Sequence, residues 1–159
     1  QIYLEADLFN QGMRPAVNVG LSVSRVGSAA QTKAMKKVAG KLRLTLAQFR
    51  ELQAFVQFSS DVDETTKKRI REGQAMTEIL KQKDLDPLPF EMQVVIFYAV
   101  LNGYFDAVAL ADIKATEERL INQLRDLHED DVLAPLRTKR ELAEEIETAL
   151  KAALARFFN

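Results

Sequence analysis

The chain has 159 residues, enough for one domain with a buried core, and no cysteine, which removes disulfides, thiolate metal sites and cysteine nucleophiles together. Hydrophobic residues make up 47% and charged residues 28%, the balance of a folded globular chain. A formal net charge of -1 supplies no global attraction for nucleic acid or an anionic membrane.

The first residues, Ile2-Tyr3-Leu4, read as a short β-prone piece. A lone strand leaves its backbone groups unpaired, so it needs partners that the sequence does not visibly supply. Glu5 and Asp7 break this apolar run, so no signal peptide is read here. The chain opens without an initiator methionine and reads as a piece of something longer. Asp7 to Gly12 is a turn, Pro15 restricts Arg14 to extended geometry, and Val17-Asn18-Val19 is a second strand candidate. From Ser28 the spacing becomes helical. Met35, Val38, Leu42, Leu46, Phe49, Leu52 and Val56 share one face, with a kink expected at Gly40. Ser59-Ser60-Asp61 is a break. Asp61 and Glu64 suggest a capping box for a short helix ending near Gly73, and Met76, Ile79 and Leu80 start another turn or two.

Asp86-Pro87-Leu88-Pro89 is a rigid connector into a helix through Met92–Leu101 that is apolar on almost every side, the expected centre of a bundle, closed by Asn102-Gly103. Its apolar run, Val94 to Leu101, falls far short of the roughly 18 residues of a membrane span. Ile113, Leu120, Leu124 and Leu127 mark an amphipathic helix. Thr138 to Glu141 reads as a capping box opening a terminal helix with Leu142, Ile146, Leu150, Leu154 and Phe157 inside.

Little of this carries chemistry. No phosphate-binding loop is present: Gly40-Lys41 is followed by Leu42, and Met35 stands where the first loop glycine belongs. The chain alone therefore cannot cradle and hydrolyse a nucleotide in the usual way. The carboxylates are scattered on helical faces, with no apolar pocket implied for an acid–base pair. The single histidine, His128, lies in the charged run Arg125 to Asp131 and reads as a solvated helix end, so no metal ligand is assigned. Lys33, Lys36, Lys37, Lys41 and Arg43 form a basic stretch without interleaved aromatics. It reads as a solvated face, with an acidic protein partner as the alternative. Arg25 stands apart. It lies between glycines and beside Ser22 and Ser24, in a stretch from Arg14 to Gly27 that presents one cation. A guanidinium suits phosphoryl oxygens bidentately.

That stretch, Arg14-Pro15-Ala16-Val17-Asn18-Val19-Gly20-Leu21-Ser22-Val23-Ser24-Arg25-Val26-Gly27, resembles the alpha subunits of the rotary, proton-translocating ATP synthases nearly residue for residue. The resemblance continues through Ser28 to Gly40, Leu46 to Leu52, Phe58 to Asp61 and Glu78 to Gln82, and weakens after about Tyr104. Asn18-Val19-Gly20 favours alpha over the related beta subunit.

The fold this implies is mainly α: residues 1–27 as the end of an α/β nucleotide-binding domain, a short strand-and-loop remnant, and residues 28–159 as a C-terminal helical bundle. The resemblance makes Arg25 an arginine finger reaching in trans into the catalytic site of the beta subunit. Such fingers accelerate phosphoryl transfer by about 10³–10⁵-fold. It makes Ser22 a residue needed for activity that holds the Arg25 loop. Arg14 and Pro15 match residues lining the adenine pocket of the alpha subunit's own non-catalytic nucleotide site. Gln82 matches a glutamine of that pocket, while Asp84 departs from the family pattern at the second glutamine.

The cofactors implied are ATP or ADP with magnesium in the full complex, none held by this chain alone, and no metal site. The partners implied are the beta subunit in an alternating hexameric ring, the gamma rotor stalk and a delta-type stator subunit. No nucleic acid is implied, and membrane contact comes only through the complex, at the cytoplasmic face of a bacterial membrane or alternatively the mitochondrial inner membrane. Two other readings are a non-catalytic subunit of a related rotary or secretion ATPase and a free-standing helical interaction module.

Overall fold

A computed structural model describes the backbone of residues 1–56 and 63–159 and the side chains of 1–53 and 63–159. The break at Ser59-Ser60-Asp61, the capping role of Asp61, the family match at Phe58 and the inward-facing Val56 side chain lie outside the described residues.

Within them the chain forms eight α-helices, and the architecture is mainly α as expected. The N-terminal segment contains a single turn of helix, α1 (Ala6–Asn10), closed by Gly12 at φ +82. The two strand candidates do not become strands. They meet as one isolated antiparallel bridge, Leu4 to Val17, flanked by Asn18 N–H to Tyr3 O at 2.8 Å and Glu5 N–H to Ala16 O at 3.0 Å. The partner that the first strand lacked in the sequence is therefore its own neighbour across a turn.

A single turn, α2 (Gly27–Ala30), precedes the long α3 (Lys33–Val56). The hydroxyl of Thr32 accepts the N–H of Met35 at 3.1 Å and starts α3 five residues later than the periodicity suggested, after a break at Gln31-Thr32. The buried stripe is Ala34, Val38, Leu42, Leu46 and Phe49, spaced by three and four, while Met35 lies at its edge. The helix runs unbroken through Gly40, where an added Cβ would touch nothing, so glycine there breaks no helix and fills no packing need.

Helix α4 (Glu64–Leu80) is one helix where two were expected. Asp63 caps it, its carboxylate accepting Thr66 N–H at 2.7 Å. Gly73 lies inside it because the α3–α4 crossing demands the space: a Cβ at Gly73 would sit 2.2 Å from Cγ of Phe49.

Helix α5 (Phe90–Leu101) is the buried centre, with Val94, Val95, Ile96 and Ala99 fully enclosed, and it packs on α3 and α4. Asn102 and then Gly103 at φ +79 end it. A 3₁₀ turn, Leu110–Asp112, leads into α6 (Ile113–Leu127), which buries Ile113, Leu120, Ile121 and Leu124 but leaves Leu127 exposed.

The expected capping box at Thr138 to Glu141 is replaced by the end of another helix. A π turn (Glu129–Leu133) continues into α7 (Ala134–Lys139), where Thr138 Oγ1 donates back to Ala134 O at 2.9 Å and Arg140 closes the helix at φ 55. The terminal α8 (Glu144–Phe158) starts after Ala143 without a side-chain cap and buries Ile146, Leu150, Ala153 and Leu154, with Phe157 half-buried. The backbone N–H of Ala34 donates to Arg140 O at 3.1 Å, joining the start of α3 to the turn before α8.

Candidate functional site

The residues singled out in the sequence fall into two groups, one where the N-terminal segment meets the end of α4 and one on the loop that leads into α2. The first is Arg14, Pro15 and Gln82. Gln82 follows α4, and its backbone N–H donates to Arg14 O at 2.7 Å, so positions far apart in sequence are adjacent. The Arg14 guanidinium lies 4.0 Å from the ring centroid of Phe9 and donates to Phe9 O at 3.3 Å, while the peptide into Pro15 is cis. The Gln82 amide donates to Asp86 O at 3.0 Å, which folds the connector back on itself. Pro15 and Gln82 line a groove of about 280 Å³ together with Lys83, Lys114 and Glu117. Pro15 also borders a second groove, of about 350 Å³, walled by Val17, Leu46, Phe49 and Arg50.

The second group is Ser22 and Arg25. Ser22 Oγ accepts the N–H of Tyr3 at 3.0 Å, fastening the loop to the opening segment. Ser24 Oγ accepts Gly27 N–H at 2.9 Å, and a Cβ at Gly27 would press on the Ser24 side chain at 3.0 Å. Arg25 is exposed at the top of this turn, and its guanidinium forms no hydrogen bond or ion pair among the described residues. A planar donor fork held on a short loop and left without an internal acceptor is suited to an anion brought from outside. No hydrogen bond among the described residues joins Arg25 to the Arg14–Gln82 group.

Asn18, Arg50 and Lys114 escaped the sequence reading. Asn18 gathers the loop around one amide, with Arg50 of α3 donating to it at 3.2 Å. Lys114 of α6 reaches the carbonyl at the end of α4, donating to Lys81 O at 2.6 Å, and it pairs with Glu117. The signal available for Asn18 was its place ahead of a glycine in a turn-prone stretch. Nothing local marks Arg50 or Lys114, because their partners are distant in sequence.

Two expectations change here. His128 is not solvated but buried, its Nδ1 3.0 Å from Asp131 Oδ2. Charged neighbours in sequence hid a position that the turn after α6 points inward. Two carboxylates are enclosed after all: Glu91, bound by Arg137 Nε at 2.8 Å, and Glu117, whose burial pushes its carboxyl above the usual range against the opposing pull of Lys114. The basic stretch is the solvated face expected of it, with Lys33, Lys36, Lys37, Lys41 and Arg43 all exposed, although Lys33 pairs with Glu141 at 3.0 Å and Lys37 with Glu147 at 2.6 Å. No cluster of three or more His, Asp or Glu residues able to hold a metal exists among the described residues. None of their helices is long and apolar enough to cross a membrane.

Residues 31–157 match the family described as ATP synthase alpha/beta chain, C terminal domain. The chain is 53% identical over 157 residues to ATP synthase subunit alpha of Aquifex aeolicus (strain VF5), an alignment spanning 99% of this chain and 31% of that relative.

Proposed function

The chain belongs to the ATP synthase alpha/beta chain, C-terminal domain family, with an alpha subunit as its relative, and from that premise we propose that it works inside a proton-translocating ATP synthase by lending Arg25 to a catalytic site on a neighbouring beta subunit. The observation that carries this reading is Arg25 itself: an exposed guanidinium on a hydrogen-bonded turn, without an internal acceptor among the described residues. As ATP forms or is cleaved, negative charge redistributes over the transferred phosphoryl group. A fork of donors placed there stabilises the transition state more than the ground state. Ser22 keeps the turn in register through Tyr3.

Residues 1–27 then complete a nucleotide-binding domain, and residues 28–159 form the helical domain that packs in the ring around the gamma stalk, with a delta-type stator subunit on the outside. The juxtaposition of Arg14, Pro15 and Gln82 supports a second role, lining the adenine pocket of a non-catalytic ATP or ADP site. Magnesium would arrive with the nucleotide phosphates. The complex sits against an energy-transducing membrane through its other subunits, and the chain alone hydrolyses no ATP.

The test is Arg25→Lys in the assembled complex. Lysine keeps the charge but loses the fork. Nucleotide binding is expected to persist while turnover falls by at least about 10²-fold, on the scale of arginine-finger losses. Near-parental turnover would falsify the finger role. Co-elution of the chain with a beta subunit on size exclusion separates this reading from a free-standing helical module, which would ignore that subunit.

A further inference from the structure

The loop carrying Ser22 and Arg25 is organised by one carboxamide. Asn18 Oδ1 accepts the N–H groups of Gly20 at 2.9 Å and Leu21 at 3.0 Å, and its Nδ2 donates to Glu5 Oε1 at 2.7 Å. Its backbone carbonyl accepts Ser22 N–H at 2.9 Å. Arg50 Nη1 reaches across from α3 to the same Oδ1 at 3.2 Å. The fit is close on the other side too: a Cβ at Gly20 would lie 3.3 Å from Asn18 Oδ1 and 3.4 Å from Arg50 Nη1. One amide therefore joins the opening segment, the loop and the bundle. Only a side chain with an acceptor and a donor at opposite corners satisfies all of these neighbours.

Resting on the reading of Arg25 as an arginine finger, we propose that Asn18 is a positioning residue for Arg25 and that Arg50 is the link through which helix α3 sets the finger loop. Neither side chain touches nucleotide in this role. The Arg25 guanidinium has no side-chain partner among the described residues to fix it, so its place depends on the backbone that carries it. Asn18 holds that backbone at its root. A misplacement of about 1 Å at a positioned group costs on the order of 10²-fold in rate.

The experiment is a double-mutant cycle on hydrolysis of magnesium-ATP by the assembled complex, using Arg25→Ala, Asn18→Ala, Arg50→Ala and the double variants. Asn18→Ala is expected to lower kcat by about 10- to 100-fold with KM held within about twofold. Arg50→Ala lowers kcat by a smaller factor and Arg50→Lys restores part of it, since an ammonium also donates to Oδ1. In the Arg25→Ala background, either substitution is expected to lower kcat by less than about twofold further, because no guanidinium remains to be placed. Equal losses in both backgrounds would mean an effect independent of Arg25 and overturn the proposal. Parental kcat in Asn18→Ala beside an impaired Arg25→Ala overturns the positioning role alone, whereas parental kcat in Arg25→Ala removes the finger reading and this proposal with it. Should Asn18→Ala not assemble, the Arg50 arm of the cycle decides by the same criteria.

Discussion

Glu147 holds three helices at one carboxylate. Its oxygens meet Lys37 of α3 at 2.6 Å, the hydroxyl of Tyr98 of α5 at 2.9 Å and Lys151 of its own helix at 3.2 Å. The Lys37 hydrogen bond is the largest influence, and against partial burial it brings the carboxyl from the ordinary 4.5 down to about 2. Burial, with Glu147 alongside, pushes the Tyr98 phenol up, so it stays a donor. A carboxyl depressed in the folded state contributes stability that is complete above pH 4.5 and drains as pH falls through about 2. Glu147→Gln is therefore expected to flatten the acid limb of stability over that window in urea melts run across pH. A parental acid limb in the variant would show that other carboxyls set it. Gly73 is the opposite kind of residue, important for what it lacks. With its added Cβ at 2.2 Å from Phe49 Cγ, Gly73→Ala is expected to cost about 2 kcal/mol or more by urea midpoint, and markedly less in a Phe49→Ala background. Equal costs in the two backgrounds would place the clash elsewhere.

The two ends of α4 are finished differently, one by a neighbour in sequence and the other by a group remote from it. Its first turn is capped locally, by Asp63 on Thr66. Beyond its last turn, Lys114 of α6 donates to Lys81 O and lies against Glu117, which is buried. A cation at a helix C-terminus is favourable for the dipole, and this one also offsets the buried acid beneath it. Lys114→Met leaves Glu117 enclosed without a partner and is expected to destabilise the bundle by about 3 kcal/mol in urea melts. Adding Glu117→Gln removes the stranded charge and should return much of that loss. A double variant as weak as Lys114→Met would show that the helix end, not the acid, carries the cost. The same lysine shares the groove of Pro15 and Gln82, so the closure of α4 and the candidate adenine wall are one piece of structure.

At the scale of the molecule, α5 lies at the centre and the N-terminal segment lies outside, held by Gln82 to Arg14 and by Arg50 to Asn18. Native-state hydrogen exchange should find its slowest amides in α5, around Val94 to Ala99, and its fastest opening in residues 1–26, which among them bury only Ala16. Comparable protection of both regions would contradict a segment resting on the surface of the bundle. Periodicity alone located the stripe of α3, the all-apolar α5 and the inner face of α8, because hydrophobic spacing is a local property that burial must respect. The stretch from Arg14 to Gly27 stands out in the sequence by its composition, a cation among glycines and hydroxyls, and the structure adds that Arg25 is exposed beside a hydrogen-bonded turn. Other features were not. The continuity of α4 through Gly73 was settled by the approach of Phe49, the burial of His128 by the turn after α6, and the pairing of Ile2-Tyr3-Leu4 by a chain reversal. Asn18, Arg50 and Lys114 acquire their meaning only from partners brought near by packing. Local pattern decides which backbone is helical, whereas which polar groups meet depends on how the helices cross, and no short window of sequence contains that information.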